Sequence, residues 1–180
     1  MQEKPSENQT YRRIKLLGQG AFGKVFLVEC LASKVLYVLK QIDLNDLTEE
    51  QKKSSFQEST ILKTLKHPNI ITFHDVYKTT KGRLCIVMDY ADGGDLANKI
   101  EEAKKDNKNY SEPQILDWFT QICLALKHVH DRKIIHRDLK SSNIFLTKDN
   151  RVKLGDFGVA FELSHTSDRA KTCIGMQIIL

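Results

Sequence analysis

A glycine-rich segment near the start of this 180-residue sequence has residue types that can enclose a phosphate group: Gly18-Gln19-Gly20-Ala21-Phe22-Gly23. Glycine has no Cβ, so backbone N–H groups can close over phosphate oxygens without obstruction. Dinucleotide-binding folds use the same spacing, but in them a helix begins directly after the last glycine. Here the run Lys24-Val25-Phe26-Leu27-Val28 follows, which predicts a strand. The segment therefore predicts a hairpin over phosphates, and an ordinary glycine turn is the alternative.

A lysine and a glutamate farther along the chain could form a second part of a phosphate site. Lys40 ends a β-rich run, and Glu58 lies in a predicted helix that begins at the capping box Thr48-Glu49-Glu50-Gln51 and runs to about Leu65. A lysine aimed at phosphates needs an opposite charge to hold its flexible stem, and a helix carboxylate can supply it. Taken separately, each of the two is better explained as a surface charge.

Two later motifs make the pattern specific. The first is His136-Arg137-Asp138-Leu139-Lys140-Ser141-Ser142-Asn143, and the second is Asp156-Phe157-Gly158. With these motifs in this order, the sequence from about Tyr11 to Gly175 resembles a eukaryotic protein kinase. Finer likeness to the NIMA-related (Nek) serine/threonine kinases comes from the segments Asp89–Leu96, Trp118–Ile122, Asn143–Leu146, Leu154–Gly158 and Thr172–Gly175.

The resemblance implies a role for each residue of the two motifs and of the charged pair. Asp138 would be the catalytic base that accepts the proton of the substrate hydroxyl, and Lys140 would offset charge that develops on the γ-phosphoryl group. Lys40, held by Glu58, would position the α- and β-phosphates. The resemblance also implies Mg²⁺, which Asn143 and Asp156 would hold.

The resemblance also implies an ATP site. The glycine segment would cover the phosphates, Met88 would be the gatekeeper, and the backbone of Asp89 and Ala91 would meet adenine. Apolar side chains would enclose the flat ring from both faces. The full set of implied nucleotide-binding residues is Leu17, Gly18, Gly20, Gly23, Val25, Val38, Lys40, Met88, Asp89, Ala91 and Phe145.

A regulatory pair is implied at the end of the resemblance. Thr172 occupies the position that many kinases phosphorylate, and Arg137 would grip the added phosphate, which carries about −1.5 to −2 charges. The alternative for a single threonine in a Ser/Thr-rich loop is that it is not modified.

The hydrophobic pattern predicts the elements that position these residues. The first 90 residues read β-β-β-α-β-β, which predicts a small and mostly antiparallel sheet with one helix. After Gly93-Gly94 the pattern becomes helical, with a second capping box at Ser111 and Gln114 and an apolar stripe containing Ile115 and Phe119. This order of elements agrees with what the resemblance implies, which is an α+β, protein-kinase-like bilobal fold with a β-rich N-lobe and a mainly helical C-lobe. Residues 1–10 would be a polar tail and 11–180 a kinase domain, divided into an N-lobe (11–90) and a partial C-lobe (91–180).

Composition excludes several other classes of protein. The net charge of +5 is spread among acidic residues without a basic run, so we expect no nucleic-acid partner. The four cysteines lie far apart, which argues against a disulfide framework or a zinc site. No uncharged apolar stretch approaches about 18 residues, so no membrane association is expected. A cytoplasmic setting fits best, with cytoskeletal or nuclear association as alternatives.

The sequence departs from the kinase pattern after Gly175. A Nek kinase would continue with Thr-Pro and reach an A-P-E motif, whereas this sequence reads Met176-Gln177-Ile178-Ile179-Leu180. We therefore expect an incomplete C-lobe whose exposed face a protein partner could cover. Two functions follow: a serine/threonine kinase that uses ATP, Mg²⁺ and protein substrates, or a catalytically weak ATP-binding or interaction fragment that competes with a full-length kinase.

Overall fold

A computed structural model describes residues 11–20, 23–45, 47–158 and 160–162. The predicted tail at 1–10 and Thr172 lie outside these residues. The chain divides into two compact units. The first contains Met1–Lys63 and Ile71–Tyr90, and the second contains Thr64–Ile70 and Ala91–Leu180.

The first unit contains a five-stranded antiparallel sheet. Its strands are β1 (Tyr11–Gly20), β2 (Gly23–Cys30), β3 (Leu36–Asp43), β4 (Phe73–Lys78) and β5 (Arg83–Asp89), in the spatial order β1-β2-β3-β5-β4. Side chains alternate between the two faces of a strand. Leu39 therefore packs on one face with Val28, Cys85 and Val87, while Ile42 packs on the other with Leu84 and Ile86. Lys40 lies on the same face as Ile42, two residues before it.

Helix α1 (Glu49–Thr64) follows the third strand and begins at the capping box that the sequence predicts. The backbone N–H of Thr48 donates to Oε1 of Gln51 at 2.9 Å, and the N–H of Gln51 donates to Oγ1 of Thr48 at 3.3 Å. These bonds satisfy donors that a helix start leaves without intrahelical partners. The buried face of the helix includes Glu58, Ile61 and Leu62.

The second unit contains two helices, a short 3₁₀ turn and two small antiparallel strand pairs. The helices are α2 (Leu96–Lys105) and α3 (Glu112–His130), and the 3₁₀ turn is Ser141–Asn143. Strand β6 (Ile134–Ile135) pairs with β9 (Phe161–Glu162), and β7 (Ile144–Leu146) pairs with β8 (Val152–Leu154).

The caps of these helices differ from the sequence prediction. Ser111 is the N-cap of α3 in extended backbone geometry, but its side chain makes no capping hydrogen bond, so the predicted second capping box is wrong. A side-chain cap is found instead at α2, where the N–H of Asn98 donates to Oδ1 of Asp95 at 2.9 Å. Asp95 thus fixes where α2 begins.

The buried face of α3 is formed by Trp118, Ala125 and Val129. The indole Nε1 of Trp118 donates to the backbone oxygen of Asn150 at 3.0 Å. Ile115 and Phe119 are 52% and 62% exposed, although the sequence places them in the predicted apolar stripe. The helix is therefore anchored by its Trp118 side.

The segment Thr64–Ile70 packs within the second unit. The side-chain amide of Asn69 donates to Oε1 of Gln121 at 2.7 Å and to the backbone oxygen of Val152 at 3.1 Å. The N–H of Leu154 donates to the backbone oxygen of Asn69 at 2.8 Å. Asn69 therefore ties the segment to both α3 and β8.

Candidate active site

The first charged pair of the candidate site lies between β3 and α1. Nζ of Lys40 donates to both carboxylate oxygens of Glu58, at 2.7 and 2.9 Å. Glu58 is 4% exposed and Lys40 is 21% exposed. Partial burial weakens screening by water, so this pair holds the ammonium group in one position more firmly than a surface ion pair would. The sequence prediction brought these two residues together, and the structure places them in contact.

The glycine segment forms the junction between β1 and β2. Gly18 and Gly20 lie in β1, Gly20 is paired with Gly23, and β2 begins at Gly23. A dinucleotide-binding fingerprint would need a helix at that point, so the dinucleotide alternative is wrong. The segment is instead the turn region of a hairpin, as the sequence predicts.

Three of the predicted adenine-site residues share the sheet face of Lys40. Val25 is paired with Lys40, and Val38 is paired with Met88, across neighbouring strands. Leu17, in β1, is 41% exposed. Val25, Val38 and Met88 give the face an apolar surface next to the lysine ammonium, which suits a ligand with a flat ring and an anionic tail.

Asp89 ends β5 in the first unit, and two further members of the predicted adenine site lie in the second unit. Ala91 is buried at the start of the segment that leads to α2. Phe145 is half-buried in β7, and its backbone forms a single antiparallel β-bridge with the backbone of Asp95.

In the second unit, a separate charged group is built around Asp138. Nζ of Lys140 lies 2.8 Å from Oδ2 of Asp138. The side-chain amide of Asn143, on the 3₁₀ turn, donates to the same Oδ2 at 2.9 Å and to the backbone oxygen of Asp138 at 2.8 Å. The structure therefore brings together three residues that the sequence predicts for the site.

The same contacts set the charge of Asp138. Partial burial raises the pKa of this carboxyl group, but the hydrogen bonds from Lys140 and Asn143 outweigh it and lower the pKa below the ordinary value of 3.8. Asp138 is therefore ionised at neutral pH. An ionised carboxylate with two oxygens can accept a further hydrogen bond from a hydroxyl group.

His136 supports the backbone of Asp138. Its Nδ1 accepts the N–H of Asp138 at 3.3 Å, and its Nε2 lies 2.9 Å from the backbone oxygen of Gly155. Burial lowers the pKa of His136, so the neutral ring serves both contacts, with the hydrogen on Nε2. The ring also packs on Phe157, with the centroids 4.7 Å apart. This supporting role was not predicted from the sequence; its only signal there is that His136 stands two residues before Asp138.

Two residues of the site have left-handed backbone geometry. Arg137 has φ 65° and Asp156 has φ 56°. Side chains other than glycine rarely adopt this region, and such residues cluster at functional sites. The structure places Arg137 beside Asp138, while its predicted regulatory partner, Thr172, lies outside the described residues.

A magnesium ion would need oxygen ligands. Asn143 uses its Nδ2 in the two bonds to Asp138, which leaves Oδ1 as its metal-binding atom, and Asp156 offers a carboxylate. Within the described ranges, no three His, Cys, Asp or Glu side chains could hold a metal ion together. The pair nonetheless fits Mg²⁺, which proteins bind through one or two side chains together with substrate phosphates.

A comparison with protein families decides what this arrangement belongs to. The family model described as "Protein kinase domain" matches residues 11–177. The chain belongs to the protein kinase family. This membership confirms the α+β, kinase-like fold that the sequence analysis expects.

Curated relatives refine the place of this kinase domain. It is 48% identical to serine/threonine-protein kinase Nek1 of Mus musculus over 167 residues, which cover 93% of the chain and 14% of that protein. It is 47% identical to serine/threonine-protein kinase Nek5 of Homo sapiens over 166 residues, covering 92% of the chain and 23% of that protein. The kinase domain thus spans a quarter or less of either relative. The predicted resemblance to the Nek kinases is confirmed.

Proposed function

We propose that this protein is a serine/threonine protein kinase that transfers the γ-phosphoryl group of ATP to Ser and Thr hydroxyls of other proteins. The observation that carries the proposal is the arrangement around Asp138, whose ionised carboxylate is held by Lys140 and Asn143. A catalytic base must be ionised, fixed in position and within reach of a hydroxyl proton. Asp138 meets the first two requirements, and it is only partly buried.

The residues of the site would divide the reaction between them. Asp138 would accept the proton of the attacking hydroxyl, and the ammonium group of Lys140 would offset charge on the transferred phosphoryl group. Lys40, fixed by Glu58, would bind the α- and β-phosphates. Mg²⁺, when bound by Asn143 and Asp156, would neutralise phosphate charge.

The remaining nucleotide contacts follow the same proposal. The hairpin at Gly18, Gly20 and Gly23 would cover the phosphates, and the apolar face with Val25, Val38 and Met88 would pack on adenine. The main chain at Asp89 and Ala91 would hydrogen-bond to the edge of the ring. Arg137 would bind a phosphate on Thr172.

The setting of the protein belongs to this proposal as well. Within the part of the chain that the structure describes, no helix is long and apolar enough to cross a membrane. We expect protein substrates in the cytoplasm, with cytoskeletal or nuclear association as alternatives, and neither nucleic acid nor membrane as a partner. The exposed side of α3, with Phe119, is the surface that a protein partner would cover.

The experiment that tests the proposal measures phosphate transfer from radiolabelled ATP to generic Ser/Thr substrates. Asp138→Asn should lower the rate by about 10²- to 10⁴-fold, because an amide cannot accept the proton. The affinity for Mg·ATP, measured by calorimetry, should stay unchanged in this variant. The matched control is Asp149→Asn, which removes an exposed carboxylate from a turn of the same unit.

Two results would contradict the proposal. Equal transfer rates for the parent protein and Asp138→Asn would remove the base. Failure of the parent protein to bind Mg·ATP would remove the nucleotide site.

A further inference from the structure

A histidine on β4 holds the carboxylate of the last residue of β5. Nε2 of His74 lies 2.6 Å from Oδ1 of Asp89, with both side chains about a third exposed or less. A carboxylate can only accept, so Nε2 carries the hydrogen in this contact. Oδ2 of Asp89 lies 3.4 Å from the N–H of Thr72. The carboxylate of Asp89 is therefore held by the strand that lies next to its own.

A bulge in β4 aims His74 at this carboxylate. Phe73 is paired with Met88 and Asp75 with Val87, so two steps along β4 correspond to one step along β5. His74 is the extra residue. Bulges redirect a side chain and increase the local twist, and they are frequent next to active sites.

Aromatic rings fix the imidazole from the other side. The ring of Tyr37, whose backbone is paired with Asp89, lies 4.6 Å from the His74 ring in an edge-on arrangement. The ring of Tyr11 in turn meets Tyr37 edge-on, 6.1 Å away. Such contacts favour one orientation of each ring. His74 is thus held between an aromatic pair and a carboxylate.

The backbone of Asp89 is the point that these contacts fix. Its N–H donates to the backbone oxygen of Thr72 at 3.0 Å, and its side chain points to the sheet face opposite that of Met88. The main chain of Asp89 is also where the proposed function places the edge of adenine. His74 lies on the far side of the sheet from that ring and can act on it only through Asp89.

We propose that His74 is a positioning residue for adenine: by holding the Asp89 carboxylate, it fixes the main-chain groups of Asp89 that the ring meets. This assignment rests on the proposed function, because that function places adenine at Asp89. The specific readout is an effect on the adenine part of the ligand alone. Loss of the His74 side chain should therefore lower the affinity for a ligand without phosphates by the same factor as the affinity for a ligand with phosphates.

The experiment measures the affinities of the full chain for Mg·ADP and for adenosine by calorimetry. His74→Ala should weaken both by the same factor, about threefold to tenfold, which is the usual effect of losing one hydrogen bond. Lys40→Met should weaken Mg·ADP and leave adenosine unchanged. His74→Gln should restore most of the affinity, since its amide can donate to Asp89 again.

The matched control is Arg83→Gln. It removes the contact between Arg83 and Asp43, a 3.2 Å ion pair of similar exposure at the other end of β5. This variant should bind both ligands as the parent chain does. A general loosening of the sheet would affect the control as well.

The outcomes separate this assignment from the function on which it rests. Unchanged adenosine affinity in His74→Ala, while the parent chain binds both ligands, would overturn the role of His74 and leave the proposed function standing. Failure of His74→Gln to recover affinity would also overturn it. Failure of the parent chain to bind either ligand would overturn the proposed function and this assignment together.

Discussion

At the scale of single residues, Gly23 is the glycine of the hairpin that cannot be replaced without strain. Its φ is 153°, and a Cβ at this position would lie 2.1 Å from the backbone oxygen of Gln41 on β3. Backbone atoms of β3 cannot move aside without disturbing its hydrogen bonds to the strands on either side. Gly20, its partner across the hairpin, has nothing within 4 Å of the corresponding position.

Gly23→Ala is therefore expected to destabilise the protein by about 1 to 3 kcal/mol, the usual range for forced overpacking and backbone strain. Gly20→Ala, the matched control, should change stability by less than about 0.5 kcal/mol. Urea denaturation of both variants measures the difference. Equal stabilities would mean that Gly23 has room that the structure does not show.

The residues of the site differ in how well the sequence predicts them. Asp138, Lys140 and Asn143 stand within one short motif, so a local turn brings them together and the spacing alone is informative. The pair Lys40 and Glu58 could be predicted only with the help of the two later motifs, because each of the two residues taken alone is better explained as a surface charge. The contact of His74 with Asp89 could not, because a bulge changes the register and leaves no mark in the sequence.

At the scale of elements, α3 shows the limit of periodicity. The spacing of apolar residues predicts which of them share a helix face, but not which face another element covers. Trp118 is 5% exposed, whereas its neighbour Phe119 is 62% exposed. In the same way, the pattern at Ser111 predicts where α3 begins but cannot predict the orientation of the serine hydroxyl.

Trp118→Ala is expected to cost about 3 to 5 kcal/mol, because it leaves a cavity and removes the hydrogen bond to Asn150. Phe119→Ala, the matched control on the next residue, should cost less than about 1 kcal/mol because its ring is mostly in water already. Thermal unfolding followed by circular dichroism measures both. A large loss in Phe119→Ala would show that a second surface covers this ring in solution.

At the scale of the whole molecule, histidines with lowered pKa values are concentrated in the second unit. Burial lowers the pKa of His67, His128 and His136 below 6.5, and the nearby positive charge of Arg132 lowers those of His67 and His128 further. The rings of His67 and His128 lie 5.0 Å apart. Nε2 of His128 is buried without a hydrogen-bond partner among the described residues.

Acid is therefore expected to destabilise the second unit. In the unfolded chain these histidines bind protons near pH 6.5, whereas in the folded chain they bind protons only at lower pH. Their contribution to the free energy of unfolding is therefore fully present above pH 6.5 and is lost as the pH falls below it. Trp118 is the single tryptophan of the chain and lies in this unit, so its fluorescence reports the loss. Urea midpoints measured between pH 7.5 and 5 should fall steadily.

Two variants test whether His128 causes part of this loss of stability in acid. His128→Leu should flatten the decline, since it removes one of the buried groups, whereas His130→Gln, which changes an exposed histidine of the same helix, should leave it as it is. A decline of the same slope in His128→Leu and in the parent chain would show that His128 does not contribute.

The packing of Thr64–Ile70 with the second unit has a consequence for the covalent continuity of the chain. The residues on both sides of this segment belong to the first unit, so the chain passes between the units three times. A nick between Tyr90 and Ala91 would leave Asn69 on one fragment and its partners, Gln121 and Val152, on the other. The first fragment would contain the whole first unit and also Thr64–Ile70, while the second would contain the second unit without that segment. The two pieces would therefore complement each other, and a protease that cut this connection would leave them bound.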